Sequence, residues 1–153
     1  EWFCKISFMF IEHIFCDQLY YSLYFIKLLY EKPTHILPIL FLVSSLRGTG
    51  KTTFLNCLKA IFGKNRTLNT NDDFRSKFNS DWANKLLIAV DEVLLDKRED
   101  SERIKNVSTA RTFKAEAKGK DRNEIEFFGK FILCSNNELS FISIDIEEIV
   151  AMK

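Results

Sequence analysis

Residues Ser45 to Thr53 read Ser-Leu-Arg-Gly-Thr-Gly-Lys-Thr-Thr and directly follow the apolar run Ile39-Leu40-Phe41-Leu42-Val43. The order is strand, glycine-containing loop, helix start, which is the Walker A arrangement. These residue types suit a polyphosphate. Gly48 and Gly50 let backbone N–H groups turn inward around phosphate oxygens. Lys51 is placed to reach the β- and γ-phosphates, and the Thr52 hydroxyl to ligate Mg²⁺. The helix that follows adds its N-terminal dipole. The expected cradle for ATP and Mg²⁺ is Ser45, Arg47, Gly48, Thr49, Gly50, Lys51, Thr52 and Thr53. One position departs from the pattern G-x-x-x-x-G-K-[ST]: Ser45 stands where the first glycine is expected.

Two further apolar runs end in polar residues that could serve the same chemistry. Leu86-Leu87-Ile88-Ala89-Val90 leads into Asp91-Glu92, the Walker B pattern. An Asp at a strand's end can hold Mg²⁺, and the adjacent Glu can polarise an attacking water. An exposed acidic turn is the plainer reading of that pair taken alone. Phe131-Ile132-Leu133-Cys134 leads into Ser135-Asn136-Asn137. An amide at the tip of a third strand suits sensing of a γ-phosphate, although Asn-Asn by itself reads as a β-turn. Lys51, Glu92 and Asn136 are thus the candidate catalytic set, with Thr52 and Asp91 as the candidate metal ligands. Between the two runs, Gly119-Lys120-Asp121 separates two short segments and predicts a β-hairpin. Its tip carries Lys118, Lys120 and Arg122, a compact cationic set suited to phosphate-backbone contact, or else a solvated turn.

The elements that must position these residues follow from composition and patterning. At 153 residues the chain is long enough for one domain with a real core. Hydrophobic residues make up 46% and charged residues 28%, and fifteen are Phe. A net charge of +1 gives no global argument for nucleic acid, so that argument rests on the hairpin. Cys4, Cys16, Cys57 and Cys134 show no C-x-x-C pair and read as reduced core residues of a cytosolic protein. His13 and His35 stand apart, which argues against a metal centre built on histidine. The apolar stretch from Ile6 to Tyr30 is broken by Glu12, Asp17 and Lys27, so no uncharged run reaches the ~18 residues of a membrane span. It predicts two buried helices over 2–31 with a break near Cys16-Asp17, stopped before Pro33. Phe54, Leu55, Leu58, Ile61 and Phe62 recur at helical spacing after the loop, with Gly63 as the stop. The three apolar runs suit strands buried on both faces of a parallel sheet. Thr67 to Asn69 suits a short extra strand, Asn71-Asp72-Asp73 the cap of a helix running to about Asn79, and Asp96 to Lys105 a loop and helix. The expected organisation is a helical segment over 1–33 and an ATPase core over 34–153, cut short at its C-terminal end.

Taken in order, these motifs resemble the superfamily-three helicases, and more closely the helicase part of phage- and mobile-element-type primase–helicases. The stretches that carry the resemblance are His13-Ile14-Phe15, Arg47 to Phe54, Phe78-Asn79-Ser80-Asp81-Trp82, Ala89 to Val93, Lys114 to Asp121 and Cys134 to Glu138. The resemblance implies an α/β fold of the P-loop NTPase, AAA+-related kind, with a mostly parallel sheet, the sensor strand between the Walker A and Walker B strands, and a basic β-hairpin. It implies a homo-oligomeric, usually hexameric ring with ATP at subunit interfaces, single-stranded DNA gripped by Lys118 and Lys120, and a primase domain in the same polypeptide. It also implies an arginine finger after the sensor strand, yet no Arg follows Arg122. The expected function is an ATP-hydrolysing DNA helicase motor core in phage or mobile-element replication. The alternatives are an ATP-binding assembly module without motor activity, which the missing Arg favours, and a small-molecule kinase, which the basic hairpin argues against.

Overall fold

A computed structural model describes residues 2–91 and 98–136. Two helices, α1 (Trp2–Phe15) and α2 (Leu19–Glu31), are joined by a 3-10 turn at Cys16–Gln18, where Cys16 adopts a positive φ of 44°. The predicted break therefore falls where expected. Strand β1 (Leu40–Val43) runs into the glycine loop and helix α3 (Lys51–Phe62). Gly63 ends that helix at φ 53°, its N–H bonded to the Lys59 carbonyl, a backbone shape that glycine takes at low cost. Strand β2 (Arg66–Asn69), two short helices α4 (Asn71–Arg75) and α5 (Ser80–Ala83), strand β3 (Leu87–Val90) and helix α6 (Arg98–Thr109) follow. A hairpin, β4 (Thr112–Ala115) with β5 (Asn123–Glu126), precedes strand β6 (Lys130–Ser135).

Four of these strands form one parallel sheet in the order β1-β6-β3-β2. The fold is α/β, as the continuous apolar runs predict, and β6 lies between β1 and β3, as the resemblance implies. Parallel strands need helices on both faces, and both faces are covered here. On one face Leu40, Leu42, Leu87, Ala89, Ile132 and Cys134 meet Phe54, Leu55 and Leu58 of α3 and Phe15, Phe25 and Leu29 of the first two helices. Phe15 stands edge-on to Phe54 at 5.1 Å. On the other face Phe41, Ile88, Val90, Phe131 and Leu133 meet Phe74, Trp82, Ile104, Val107 and Phe127. Trp82 is ringed by Phe74, Phe113, Phe127 and Phe131, which uses several of the many phenylalanines in one aromatic cluster.

The structure departs from expectation in five places. The two helices predicted to be buried pack by one side only: Phe15, Phe25 and Leu29 reach the core, while Ile6, Phe8, Met9, Tyr20, Tyr21, Tyr24 and Tyr30 are exposed. The helix predicted from Asn71 to about Asn79 stops at Arg75. Its cap is Thr70, which accepts from the Asp73 N–H while the Asp73 carboxylate accepts from the Thr70 N–H. The chain then leaves the helix because the Arg103 guanidinium takes the Arg75 and Ser76 carbonyls. The helix expected to finish near Lys105 runs on to Thr109, because Ile104 and Val107 reach the core. Strand β6 begins one residue early, at Lys130, which is 3% exposed. Its Nζ donates to the Phe128 carbonyl at 2.5 Å and to the Pro33 carbonyl. Burial lowers its pKa to about 8. Finally, Cys16 and Cys57 are exposed rather than core residues; Cys134 alone among the described free thiols is buried. A thiol on an exposed helix face has no apolar neighbour to hide against, and sequence context does not reveal which face that is.

Asn79 fixes the hairpin to the sheet's helical cover. It is 6% exposed. Its Nδ2 donates to the Lys114 carbonyl at 3.1 Å, and its Oδ1 accepts from the Glu116 N–H at 2.8 Å. The Asn79 and Ser80 N–H groups both donate to the Glu116 carbonyl. We expect Asn79→Ala to take this partner from two part-buried backbone groups, the Lys114 carbonyl and the Glu116 N–H, and to lower stability by about 1–2 kcal/mol. Chemical denaturation checks this; an unchanged midpoint would mean that water replaces the amide at no cost.

Candidate functional site

The glycine loop lies at the C-terminal end of β1, where the sheet order brings three strand ends together. Ser44 N–H donates to the Ser135 carbonyl at 3.2 Å, tying the loop's entry to β6. Asp91 N–H donates to the Asn69 carbonyl at 3.3 Å, tying the end of β3 to β2. A cleft of about 320 Å³ opens there, lined by Arg47, Gly48, Thr49, Gly50, Lys51, Thr52, Thr53, Asp91 and Asn136. Every predicted cradle residue except Ser45 lines it. Asp91 and Asn136, far apart in sequence, meet the loop across it. Glu92 lies outside the described residues.

Gly48 and Gly50 take φ of 73° and 92°, the left-handed region that an L side chain rarely adopts. Gly50 has a second constraint. A Cβ there would lie 2.6 Å from Ile14 Cδ1 and 3.5 Å from the Phe10 ring, so α1 packs directly against the loop. The Lys51 Nζ is held by loop oxygens: Ser44 O at 3.4 Å, Leu46 O at 3.4 Å and Thr49 Oγ1 at 3.2 Å. An ammonium gathered by neutral oxygens keeps its charge for an incoming anion. Thr52 Oγ1 faces Asp91 Oδ2 at 3.5 Å, a long contact. One hydroxyl and one carboxylate oxygen at that spacing suit a hard cation and its waters.

The electrostatics beneath the cleft involve residues that sequence reasoning missed. Burial pushes the Cys134 thiol up to about 12, and the nearby Asp91 carboxylate adds to the rise, while Lys51 and Arg66 oppose it. Arg66, 7% exposed, is pulled below the usual arginine value by burial, against the opposing fields of Cys134 and Asp91. Its Nε and Nη2 have no hydrogen-bond partner among the described residues. A strand-starting arginine reads in sequence as a solvated end, so nothing in the local pattern marks it.

The hairpin stands apart from the cleft. Phe113 and Ile125 turn inward onto the aromatic cluster. Lys114 pairs with Glu124 across the strands, and Thr112 with Glu126. Lys118 and Lys120 are exposed at the tip, with Gly119 at φ 75°. Arg122 differs: its Nε donates to Glu116 Oε2 at 2.5 Å, closing the loop on itself.

A parallel α/β sheet with a glycine loop and three polar strand ends at one edge is the class of protein that these features define. More particularly, the chain belongs to the family of unknown function DUF5906, whose model matches residues 42–148. A DNA primase-polymerase of Nitratiruptor phage NrS-1 is 34% identical over 107 residues, covering 67% of this chain and 14% of that protein. The chain thus spans a small part of that relative's length. The apo structure of the NrS-1 C-terminal region matches with a TM-score of 0.76 at 24% identity, covering 84% of this chain and 32% of that one. A second apo structure of the region, the A form, matches at 0.72 and 25% identity, covering 82% and 32%. These findings correct the expected function. The motif order predicts the ATP-hydrolysing motor core of a DNA helicase, but the relative is named a DNA primase-polymerase and the family has no assigned function. What stands is kinship with a phage primase-related enzyme. Among the described residues, no helix is long and apolar enough to cross a membrane.

We expect Gly50→Ala to push α1 off the loop and to cost about 1–3 kcal/mol in stability from the left-handed backbone alone. Thermal melting of the variant checks it. A melt equal to the parent's would show that α1 yields without cost.

Proposed function

We propose that this chain is the nucleoside-triphosphate·Mg²⁺-binding part of a phage replication protein of the primase-polymerase kind, and that its hairpin tip contacts single-stranded DNA. One observation carries the first half: Lys51, Thr52, Asp91 and Asn136 converge on a single cleft at the C-terminal ends of parallel strands. Ligands of open α/β sheets bind at that edge. In this reading the loop N–H groups and Lys51 hold the phosphates, Thr52 and Asp91 hold Mg²⁺, and the Asn136 amide meets the terminal phosphate. The fold is then of the P-loop kind. The name of the phage relative supports the setting in DNA replication, within the cytoplasm of an infected cell, and the relative's greater length leaves room for polymerising chemistry elsewhere in such a polypeptide.

Titration calorimetry tests the cleft. Lys51→Ala should retain the parent's fold, since the Nζ contacts loop oxygens at its surface, and should weaken Mg·ATP binding by about 2 kcal/mol or more, roughly 30-fold. Asp91→Asn should weaken binding in Mg²⁺ but not in EDTA. Parent-like affinity in both variants would remove the phosphate assignment.

The hairpin half rests on two exposed lysines. Lys118→Ala combined with Lys120→Ala should reduce affinity for a single-stranded oligonucleotide and leave Mg·ATP affinity unchanged. The dependence of log affinity on log salt should flatten by about 0.7 for each phosphate that a lysine no longer neutralises. Fluorescence anisotropy across a salt series reads both quantities. Equal affinity and equal slope would return the tip to an ordinary solvated turn.

A further inference from the structure

The chain sorts its aromatic rings by place. Its four tyrosines, Tyr20, Tyr21, Tyr24 and Tyr30, all lie on α2 and all are exposed, while phenylalanines fill both layers of the core. The inner side of α2 is taken: Ser22, Phe25 and Leu29 are buried there. The outer side of a surface helix is ordinarily charged. Here it carries rings, and Lys27 and Glu31 are the helix's only charged side chains. A helix that is apolar nearly all round is covered in the working molecule.

Tyr20, Tyr24, Lys27 and Glu31 run along the middle of that outer side at intervals of four, three and four residues, the spacing of a helix–helix seam. Tyr20 is 85% exposed and Tyr24 61%. Leu23 and Tyr30 flank the seam on one side, Tyr21 and Leu28 on the other, and both leucines are half-buried. The seam complements itself in one orientation. With a second α2 laid antiparallel about a two-fold axis passing between Phe25 and Ile26, Tyr24 faces the partner's Lys27 and Tyr20 faces the partner's Glu31. An ammonium over a phenol ring is attractive, and a phenol hydroxyl donates to a carboxylate. Each pair forms twice, because a two-fold contact uses the same patch on both copies. At the flanks Tyr21 meets the partner's Leu28, and Tyr30 meets the partner's Leu23. Parallel packing would instead set Lys27 against the partner's Lys27 and Glu31 against the partner's Glu31, so like charges exclude it.

We propose that the outer face of α2 docks a second copy of this chain, which packs its own α2 antiparallel against it. The contact closes with two copies, unlike the head-to-tail contacts that build a ring.

Sedimentation velocity of the full chain over a concentration series is the test. The parent should show a monomer–dimer equilibrium. Tyr24→Lys sets a second ammonium against the partner's Lys27 at two places and should weaken association by about tenfold or more. Adding Lys27→Glu restores an opposite-charge pair at both places and should return association to within several-fold of the parent. A loss of packing alone would not be repaired by that second change. Where thermal melting shows that Tyr24→Lys does not fold, Tyr20→Ala, at the most exposed ring, should weaken association by several-fold. A parent that stays monomeric, whatever else adheres to the face, would overturn the proposal. So would folded Tyr24→Lys or Tyr20→Ala variants that associate like the parent, or a folded double variant that remains as weak as Tyr24→Lys.

Discussion

The position of β6 is the constraint on which the rest depends. Its register pairs Leu40 with Ile132 on one side and Ala89 with Ile132 on the other, so one late strand separates two early ones. Without it, the loop after β1 and the acidic end of β3 would be parts of separate edges. With it, Ser135 takes the Ser44 N–H, Asn136 lines the cleft, and Asp91 comes within reach of Thr52. A one-residue slip of β6, which is buried along its whole length, would turn Ile132 and Cys134 from one helical layer to the other. Register is therefore set by the core, and the site inherits its geometry from that choice.

The charges at the cleft are arranged around that buried strand. Lys51 is held by three neutral oxygens and no carboxylate is among them. Arg66 lies beneath, stripped of water, with part of its guanidinium unpaired among the described residues. A buried cation costs free energy unless a countercharge offsets it, and the Asp91 field is one opposing influence within the described structure. Asp91 thus has two roles: it faces the Thr52 hydroxyl above and moderates a desolvated cation below. A site so supplied with positive charge is biased toward anions before any ligand arrives.

Much of this is legible in sequence because local chemistry and global fold agree. The apolar runs mark three of the four parallel strands within a residue or so, and Gly63, Pro33 and the Cys16-Asp17 break mark the helix ends. What is not legible depends on distant partners. The helix from Asn71 stops early because an arginine on α6 captures its last carbonyls, and α6 is far away in sequence. Lys130 joins a strand because two carbonyls receive its ammonium. The four cysteines look alike in context, yet α3 faces Cys57 outward. The functional misreading has another origin. A glycine loop with Lys-Thr, an acidic strand end and an amide strand end describe how phosphate and metal are held; they do not describe what is done with them. Motif order carries the reading on to a motor, and the named relative points to priming and polymerisation instead.

The hairpin shows how such an α/β core can be given a second surface without disturbing the first. Its inner side, Phe113 and Ile125, belongs to the aromatic cluster, and Asn79 bonds its base from a different element, so its position is fixed by the core and not by its own turn. Its outer side sets Glu124 beside Lys114 and Glu126 beside Thr112, which leaves the flank close to neutral or acidic and repels a phosphate backbone. Arg122 gives its Nε to Glu116 and its side chain stays largely exposed. The tip itself offers a polyanion the pair Lys118 and Lys120, on either side of Gly119. Two cations on a rigid stalk bind weakly on their own, since each one adds only a modest, salt-sensitive increment. A tip of that kind is better suited to one contact among several along a strand than to independent capture, and its affinity in isolation should be low even where its place on the nucleic acid is well defined.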